Sequence, residues 1–401
     1  MERVLETAAQ DRTPPGGDPR IEDDYLTVTM LAAGLAGILD RRARAGRQHG
    51  GADGLLPPSW RVGSARLWWR CQQHGVEPPA DDLELLALCT RPFAAWPVSL
   101  TLSAADMQSC LLTAGELSAF AEQGARLAAS DVEAEWIENR VYQALRAAAS
   151  ANGGDDDEAA GQVYAVLRRL LIDQAVLADL EIRKWERQFP RADSSGQTYV
   201  HRLISEAYVP RPAAGAQTWL RCPGCGNPLP DRHAACGTRG CRGGSPDTVS
   251  VTTLAAIYEQ HRATRRFIHD PGLVEARILD GLAARKGLAG RIRITPYPGL
   301  DTLDILVEFL VPGRGGPAVA ETWGADAKDQ GSARLLGRGF SWPDSMPCDR
   351  RFLVLPEHRS ALPGYAADLT AELGGRVTGV EIEGERRFLS MVADRARRLA
   401  Q

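Results

Sequence analysis

The sequence predicts an α+β chain of several domains: an N-terminal all-α domain, a small cysteine-bracketed module, and a C-terminal α/β/α core around a mixed sheet. Three observations predict it. Up to about residue 210, apolar residues recur mostly at three- and four-residue intervals, as on one face of a helix. Two cysteine pairs then stand close together in a Gly-rich stretch. From about residue 247 onward, short β-type runs alternate with helical ones. The expected divisions are a flexible tail over 1–20, the helical domain over 21–210, the cysteine module over 216–246 and the mixed domain over 247–401.

At 401 residues the chain can hold two or three domains, each with its own core. The formal net charge is −4, so no global basic signature marks a nucleic-acid binder, and none excludes one. No run of eighteen or more apolar residues exists and the first twenty residues lack a hydrophobic signal core, so a cytoplasmic, non-membrane protein is expected. Of the eight cysteines, Cys71, Cys89, Cys110 and Cys348 are scattered and read as buried thiols.

The tail, residues 1–20, is polar and rich in Pro and Gly. From Asp23, Leu26, Met30, Leu31, Leu35 and Leu39 describe a helix ending in Arg41, Arg42 and Arg44, before a Gly-rich segment over 46–54. Residues 58–127 read as helical with proline interruptions, and Asp81 and Asp82 open a capped helix. Trp60, Trp68, Trp69 and Trp96 load this section with aromatics, for which burial in the core is the default. A helix over 132–149 precedes the acidic loop Asp155–Asp157, a solvent-facing turn or a helix start. One long helix is expected from Glu158 to Phe189, with Val163, Val166, Leu167, Leu170, Leu177 and Leu180 on its stripe. Residues 208–215 read as a linker.

Cys222-x2-Cys225 and Cys236-x4-Cys241 follow, ten residues apart. In a reducing compartment this is the spacing of a zinc ribbon, in which two turns each present two thiolates to one tetrahedral Zn²⁺. So short a module cannot bury a core and is held by its metal. The site would be closed and structural, with His233 between the pairs as a bystander. Arg221, Arg232, Arg239 and Arg242 against Asp231 make the ribbon locally basic, which suits either docking on nucleic acid or a structural role.

In the mixed domain a helix is expected over 251–265 and a second from Asp270-Pro271 to before Gly287. Glu275 lies on the second, bordering its buried stripe. Strands are expected over 291–295, from Asp304 to Val311 and from Ala318 to Lys328, then a helix start over 331–336 with Arg334 and Arg338. Further strands are expected over 352–355 and 377–382, and a closing helix over 388–398. Alternation along the third strand sets Asp326 and Lys328 on one face and Trp323, Ala325 and Ala327 on the other. If Val311 pairs with Val319, Asp304 comes opposite Asp326. Two carboxylates and an ammonium at one spot are what metal-assisted phosphodiester cleavage needs. The chain has 44 arginines and three lysines, Lys184, Lys286 and Lys328, so the one lysine in this stretch stands out.

Asp304, the hydrophobic strand after it, and Asp326-x-Lys328 on the next strand resemble the PD-(D/E)xK nucleases. That resemblance implies a restriction-endonuclease-like α/β/α core over roughly the last 150 residues. It implies Mg²⁺ (or Mn²⁺) held by Asp304 and Asp326 with the Ala327 carbonyl, Lys328 orienting or deprotonating the attacking water, and Glu275 supporting the metal. A surface salt bridge from Glu275 to Arg262 or Arg266 is the structural alternative. The pattern departs from the family in Leu303, where a proline is usual, and in Asp326, where glutamate is commoner; Asp301 rivals Asp304 as the first acid. The helical region, ribbon and nuclease motif together resemble the restriction-endonuclease-related proteins of prokaryotic PIWI-type (pPIWI-RE) defence systems. That implies a metal-dependent DNA endonuclease acting against foreign DNA, with an Argonaute-like protein and a helicase as partners. The alternative is an inactive nuclease-fold, zinc-ribbon adaptor that carries a partner to nucleic acid.

Overall fold

A computed structural model of the chain describes residues 19–45, 56–127, 132–212, 215–229, 247–253, 256–314, 316–374 and 377–400, with 236, 238 and 241 between them. The tail up to residue 18, the Gly-rich 46–54 segment, His233, Asp231 and the arginines at 232, 239 and 242 lie outside the described residues. The chain divides into two compact units, Met1–Asp131 and Val132–Gln401. Among the described residues no helix is long and apolar enough to cross a membrane.

The first unit is helical. α1 (Pro19–Ala45) and α2 (Pro58–Gln73) pack so closely that a β-carbon on Gly34 would fall 2.5 Å from Trp60. α3 (Asp82–Cys89) is capped by Asp81, whose carboxylate accepts from the Glu84 amide at 2.8 Å. A short hairpin of β1 (Leu112–Thr113) and β2 (Glu116–Leu117) leads into α4 (Ala119–Leu127). Trp60 and Trp96 are buried as expected, but Trp68 and Trp69 are 50% and 60% exposed. They lie on the face of α2 away from Trp60, Gly63, Leu67 and Cys71, which α2 buries.

The second unit opens with α5 (Val132–Gly153) and α6 (Asp157–Asp173), the latter capped by Asp156. The single helix expected to Phe189 is broken here. α6 ends at Asp173; β3 (Val176–Ala178) follows, then α7 (Asp179–Gln188), whose Glu181 carboxylate accepts from the Ala178 amide. Leu180 is consequently exposed, while Leu177 is buried in the strand. After α8 (Tyr199–Ala207) the expected linker is instead β4 (Tyr208–Pro212). Next come β5 (Gly215–Arg221), β6 (Pro228–Leu229) and β7 (Asp247–Thr253), one antiparallel sheet in the order β6-β5-β7. β8 (Ala256–Gln260) inserts between β3 and β4.

The helix expected over 251–265 is therefore two strand segments and only then α9 (Arg262–Thr264). Pairing partners far away in sequence decide these segments: β8 satisfies both β3 and β4, which a local pattern cannot reveal. A π-turn over Arg265–His269 joins α9 to α10 (Asp270–Ala283) without a break, so Asp270 is not the expected cap.

Beyond α10 lies a five-stranded mixed sheet, built from β9 (Ile292–Pro296), β10 (Ile305–Gly313), β11 (Gly316–Ala327), β12 (Arg350–Leu355) and β13 (Val380–Gly384). Its order is β13-β12-β11-β10-β9; β9, β10 and β11 run antiparallel, and β11, β12 and β13 parallel. A tight turn, α11 (Pro298–Asp301), links β9 to β10; α12 (Ala333–Gly339), α13 (Glu357–Ser360), α14 (Tyr365–Leu373) and α15 (Glu385–Leu399) complete the unit. One core packs α10 and α15 on the sheet through Ile278, Phe309, Trp323, Phe352 and Phe388. A second packs α12 and α14 through Leu336, Leu353, Leu355 and Leu369. Helices thus cover both faces, the α/β/α arrangement expected.

Candidate functional site

The β10–β11 hairpin sets the site by register. Ile305 pairs with Ala325 and Phe309 with Glu321, but Leu310 pairs with Val319, so Ala320 is an extra, bulged residue. Val311 therefore faces Ala318, not the expected Val319. Below the bulge the register is the one that carries Asp304 to Asp326. The Asp304 carboxylate accepts a 2.6 Å hydrogen bond from the Ala327 amide, and its carbonyl accepts from the Tyr297 amide at 2.9 Å. Lys328, anchored by its amide on the Val354 carbonyl, places Nζ 2.5 Å from Asp326 Oδ1 and 3.8 Å from Asp304 Oδ2. Asp304, Asp326 and Lys328 thus meet where β11 leaves the sheet.

The charges act on one another strongly. Burial pushes the Asp304 carboxyl well above the usual range; Lys328 opposes that shift, while Glu275 and Asp326 add to it. For Lys328, burial favours losing the proton, but Asp326 and Asp304 outweigh it and raise its pKa. Lys328 is accordingly an ammonium.

Glu275 is not gathered with the two aspartates. Its buried carboxylate is gripped by Arg168 from α6, whose Nη2 donates to both oxygens at 3.1 and 3.3 Å. The partner is thus neither Arg262 nor Arg266. Arg168 Nη1 donates to the Tyr142 hydroxyl at 2.9 Å, and Cζ lies 5.3 Å and 5.6 Å from the Tyr142 and Tyr297 ring centres. Asp301, in a left-handed conformation at φ 84°, directs its charge at Tyr164, Tyr142 and Arg168. Arg334 and Arg338 are paired with Asp368 and Glu372 of α14. Arg168, Tyr142 and Tyr297 escaped the sequence reading. The signal was an arginine inside the face formed by Tyr164, Leu167 and Leu171, because a buried cation requires a buried acid.

The second cluster is local. Among the described residues, Cys222, Cys225, Cys236 and Cys241 are the one group of three or more ligand-type side chains gathered tightly, with all Sγ atoms within 4.8 Å. Four thiolates about 2.3 Å from a zinc stand roughly 3.8 Å apart, so the cluster fits that ion. Gly226, at φ 74°, turns the first knuckle so that the Cys222 amide reaches the Asn227 carbonyl. Burial alone would raise the Cys222 thiol, but hydrogen bonds from the Gly224 amide, Cys241 and the Cys225 amide bring it down to about 7. Beside the cluster, Asn227 donates to Asp270 at 3.1 Å and Thr238 lies 3.4 Å from the same oxygen. The start of α10 is thereby tied to the cysteine module.

Residues 272–400 match the family model described as "REase associating with pPIWI_RE". No curated protein and no solved structure matches the chain. The matched segment runs from α10 to α15 and contains Glu275, Asp304, Asp326 and Lys328, whereas Arg168 and the four cysteines precede it. The C-terminal part of this chain is a restriction-endonuclease-like domain linked to pPIWI-RE systems.

Proposed function

We propose that the chain is a divalent-metal-dependent DNA endonuclease of a defence system, working beside a PIWI/Argonaute-like protein and a helicase. The observation that carries this reading is the meeting of Asp304, Asp326 and Lys328 at the end of β11. Two carboxylates offer the hard oxygen ligands that suit Mg²⁺ or Mn²⁺. Such an ion, when bound, supplies Lewis-acid polarisation of the phosphate and a more acidic water. Asp304 and Asp326 would hold it, Asp304 losing the proton that its burial favours. Lys328 orients or deprotonates the attacking water and offsets charge on the phosphate. Glu275 contributes charge from outside the ligand pair. The resemblance to the PD-(D/E)xK nucleases implies cleavage that leaves a 5′-phosphate.

The competing reading, an inactive nuclease-fold adaptor, draws on the same contacts: Lys328 already closes on Asp326, and Arg168 on Glu275. Incubating purified protein with supercoiled, linear and single-stranded DNA in Mg²⁺ or Mn²⁺, with and without the partner, separates the two. Cleavage that disappears in Lys328→Ala and Asp326→Ala, with circular dichroism unchanged, is the expected result. Undiminished cleavage by both variants sinks the assignment. Binding without cleavage under every condition selects the adaptor.

A further inference from the structure

Arg168 lies outside the segment shared with the nuclease family, yet its guanidinium ends against two residues inside it, Glu275 and Tyr297. Both members of its pair with Glu275 are almost completely buried, at 3% and 4% side-chain exposure. The same guanidinium abuts the ring of Tyr297, whose amide holds the Asp304 carbonyl. One side chain therefore supports Glu275 directly and reaches Asp304 through Tyr297. Without it, the neighbourhood would contain three carboxylates, Asp304, Asp326 and Glu275, against the single ammonium of Lys328. Glu275 influences both Asp304 and Lys328 electrostatically, so where it is held matters to the groups that would take a metal.

We propose that Arg168 is a positioning residue of the nuclease site, acting through Glu275: it fixes the Glu275 carboxylate behind Asp304 and Asp326 and so sets their affinity for a divalent cation. The inference rests on the nuclease reading above. It also means that the helical stretch before the family segment completes the site.

A buried ion pair with no functional role can be exchanged for apolar residues at little cost to the fold. That gives the test. Arg168→Met/Glu275→Leu, Arg168→Lys and Glu275→Gln are made in the full zinc-loaded chain. Each is measured by thermal melting, by calorimetric titration with Mn²⁺ alone, and by kcat and KM on DNA. Partners that orient metal ligands typically contribute about tenfold to hundredfold in affinity or activity. The expected result is a double variant that melts near the wild type, binds Mn²⁺ about tenfold or more weakly, and loses kcat with KM for DNA unchanged. Arg168→Lys, which keeps the charge but not the fork, should lie between it and the wild type.

A double variant with wild-type Mn²⁺ affinity and kcat overturns the proposal and leaves Arg168 as a packing element. A variant that alters KM alone overturns it in favour of a DNA contact. If the double variant unfolds, Arg168→Lys and Glu275→Gln decide: unchanged Mn²⁺ affinity in both refutes the positioning role. Asp326→Ala separates the two levels. If the wild type binds Mn²⁺ through Asp326 but ignores changes at Arg168, only the positioning role fails. If Asp326→Ala leaves Mn²⁺ binding untouched, the nuclease reading itself is lost.

Discussion

The four-cysteine cluster and the acid–lysine cluster both gather ligand-type atoms within a few ångströms, yet the chain assembles them differently. The cysteines span twenty residues and come together through tight turns beside a small sheet. Their soft thiolates would close all four positions of a tetrahedral ion, leaving no place for substrate. The acid cluster draws Asp304 from the start of β10 and Asp326 and Lys328 from the end of β11, with Arg168 behind Glu275 from a helix more than a hundred residues earlier. It carries a mixed set of charges and leaves a third of Lys328 exposed. A closed local site suits structure; an open, nonlocal one suits chemistry, because substrate must enter and the sheet must hold the groups still.

Breaking each cluster should therefore give opposite outcomes. The largest effect is expected from the cysteines. One zinc per chain should be found by elemental analysis, and Cys222→Ser/Cys225→Ser should unfold the module, since a structural zinc contributes on the order of 10 kcal/mol to such a fold. Hydrogen exchange should rise across β5, β6 and β7, and also at the start of α10 through Asp270. Exchange unchanged in those strands would show that they fold without metal.

Next comes the acid cluster. Lys328→Ala should slow cleavage by about 10²–10³, the usual cost of removing one transition-state donor, with no change in zinc content. Lys328→Arg should remain closer to Lys328→Ala than to the wild type, because a planar fork cannot occupy the place of a compact ammonium. Full rescue by arginine would reduce Lys328 to a point charge.

A smaller effect concerns how tightly the sheet holds the acids. At Gly324, two residues before Asp326, a β-carbon would meet Cys348 Sγ at 2.7 Å and Leu303 and Trp342 carbons at 3.0 Å. Gly324→Ala should cost about 1–3 kcal/mol, seen as a lower melting temperature, with a loss of cleavage beyond the fraction unfolded.

The smallest effect is in pH. With its folded pKa raised, Asp304 contributes stability that is complete below the unfolded carboxylate value and fades as pH rises through the folded value. Asp304→Asn should remove that part of the slope in urea unfolding. In the wild type, Mn²⁺ affinity should increase with pH and binding should release a proton, measurable by calorimetry in buffers of different ionisation enthalpy. A pH-independent affinity would mean that Asp304 is already ionised.

Much of this was legible in the chain. The cysteine spacing is local, and so is the alternation that sets Asp326 and Lys328 on one side of a strand. The convergence of Asp304 with them was also readable, although the expected Val311–Val319 pairing was not formed. The bulge at Ala320 shifts only the loop end and leaves the base in register. Short segments are not legible where their partners are distant: Val176–Ala178, Tyr208–Pro212 and Ala256–Gln260 become strands only because they pair with one another. Trp68 and Trp69 stand exposed rather than in the core, because composition cannot tell which side of a helix meets a neighbour.

What the sequence determined by itself is the donor chemistry: four thiolates at ribbon spacing, and two aspartates with a rare lysine flanking a hairpin. Residue type and near-neighbour geometry suffice for that. Only the tertiary structure decided what stands behind those donors. Glu275 could have paired with any of several arginines, and the choice fell to Arg168 because packing α6 beneath α10 buries both and excludes the water that would otherwise satisfy them separately. No interval in the chain encodes that contact. It exists because a buried charge must find its opposite within the same core.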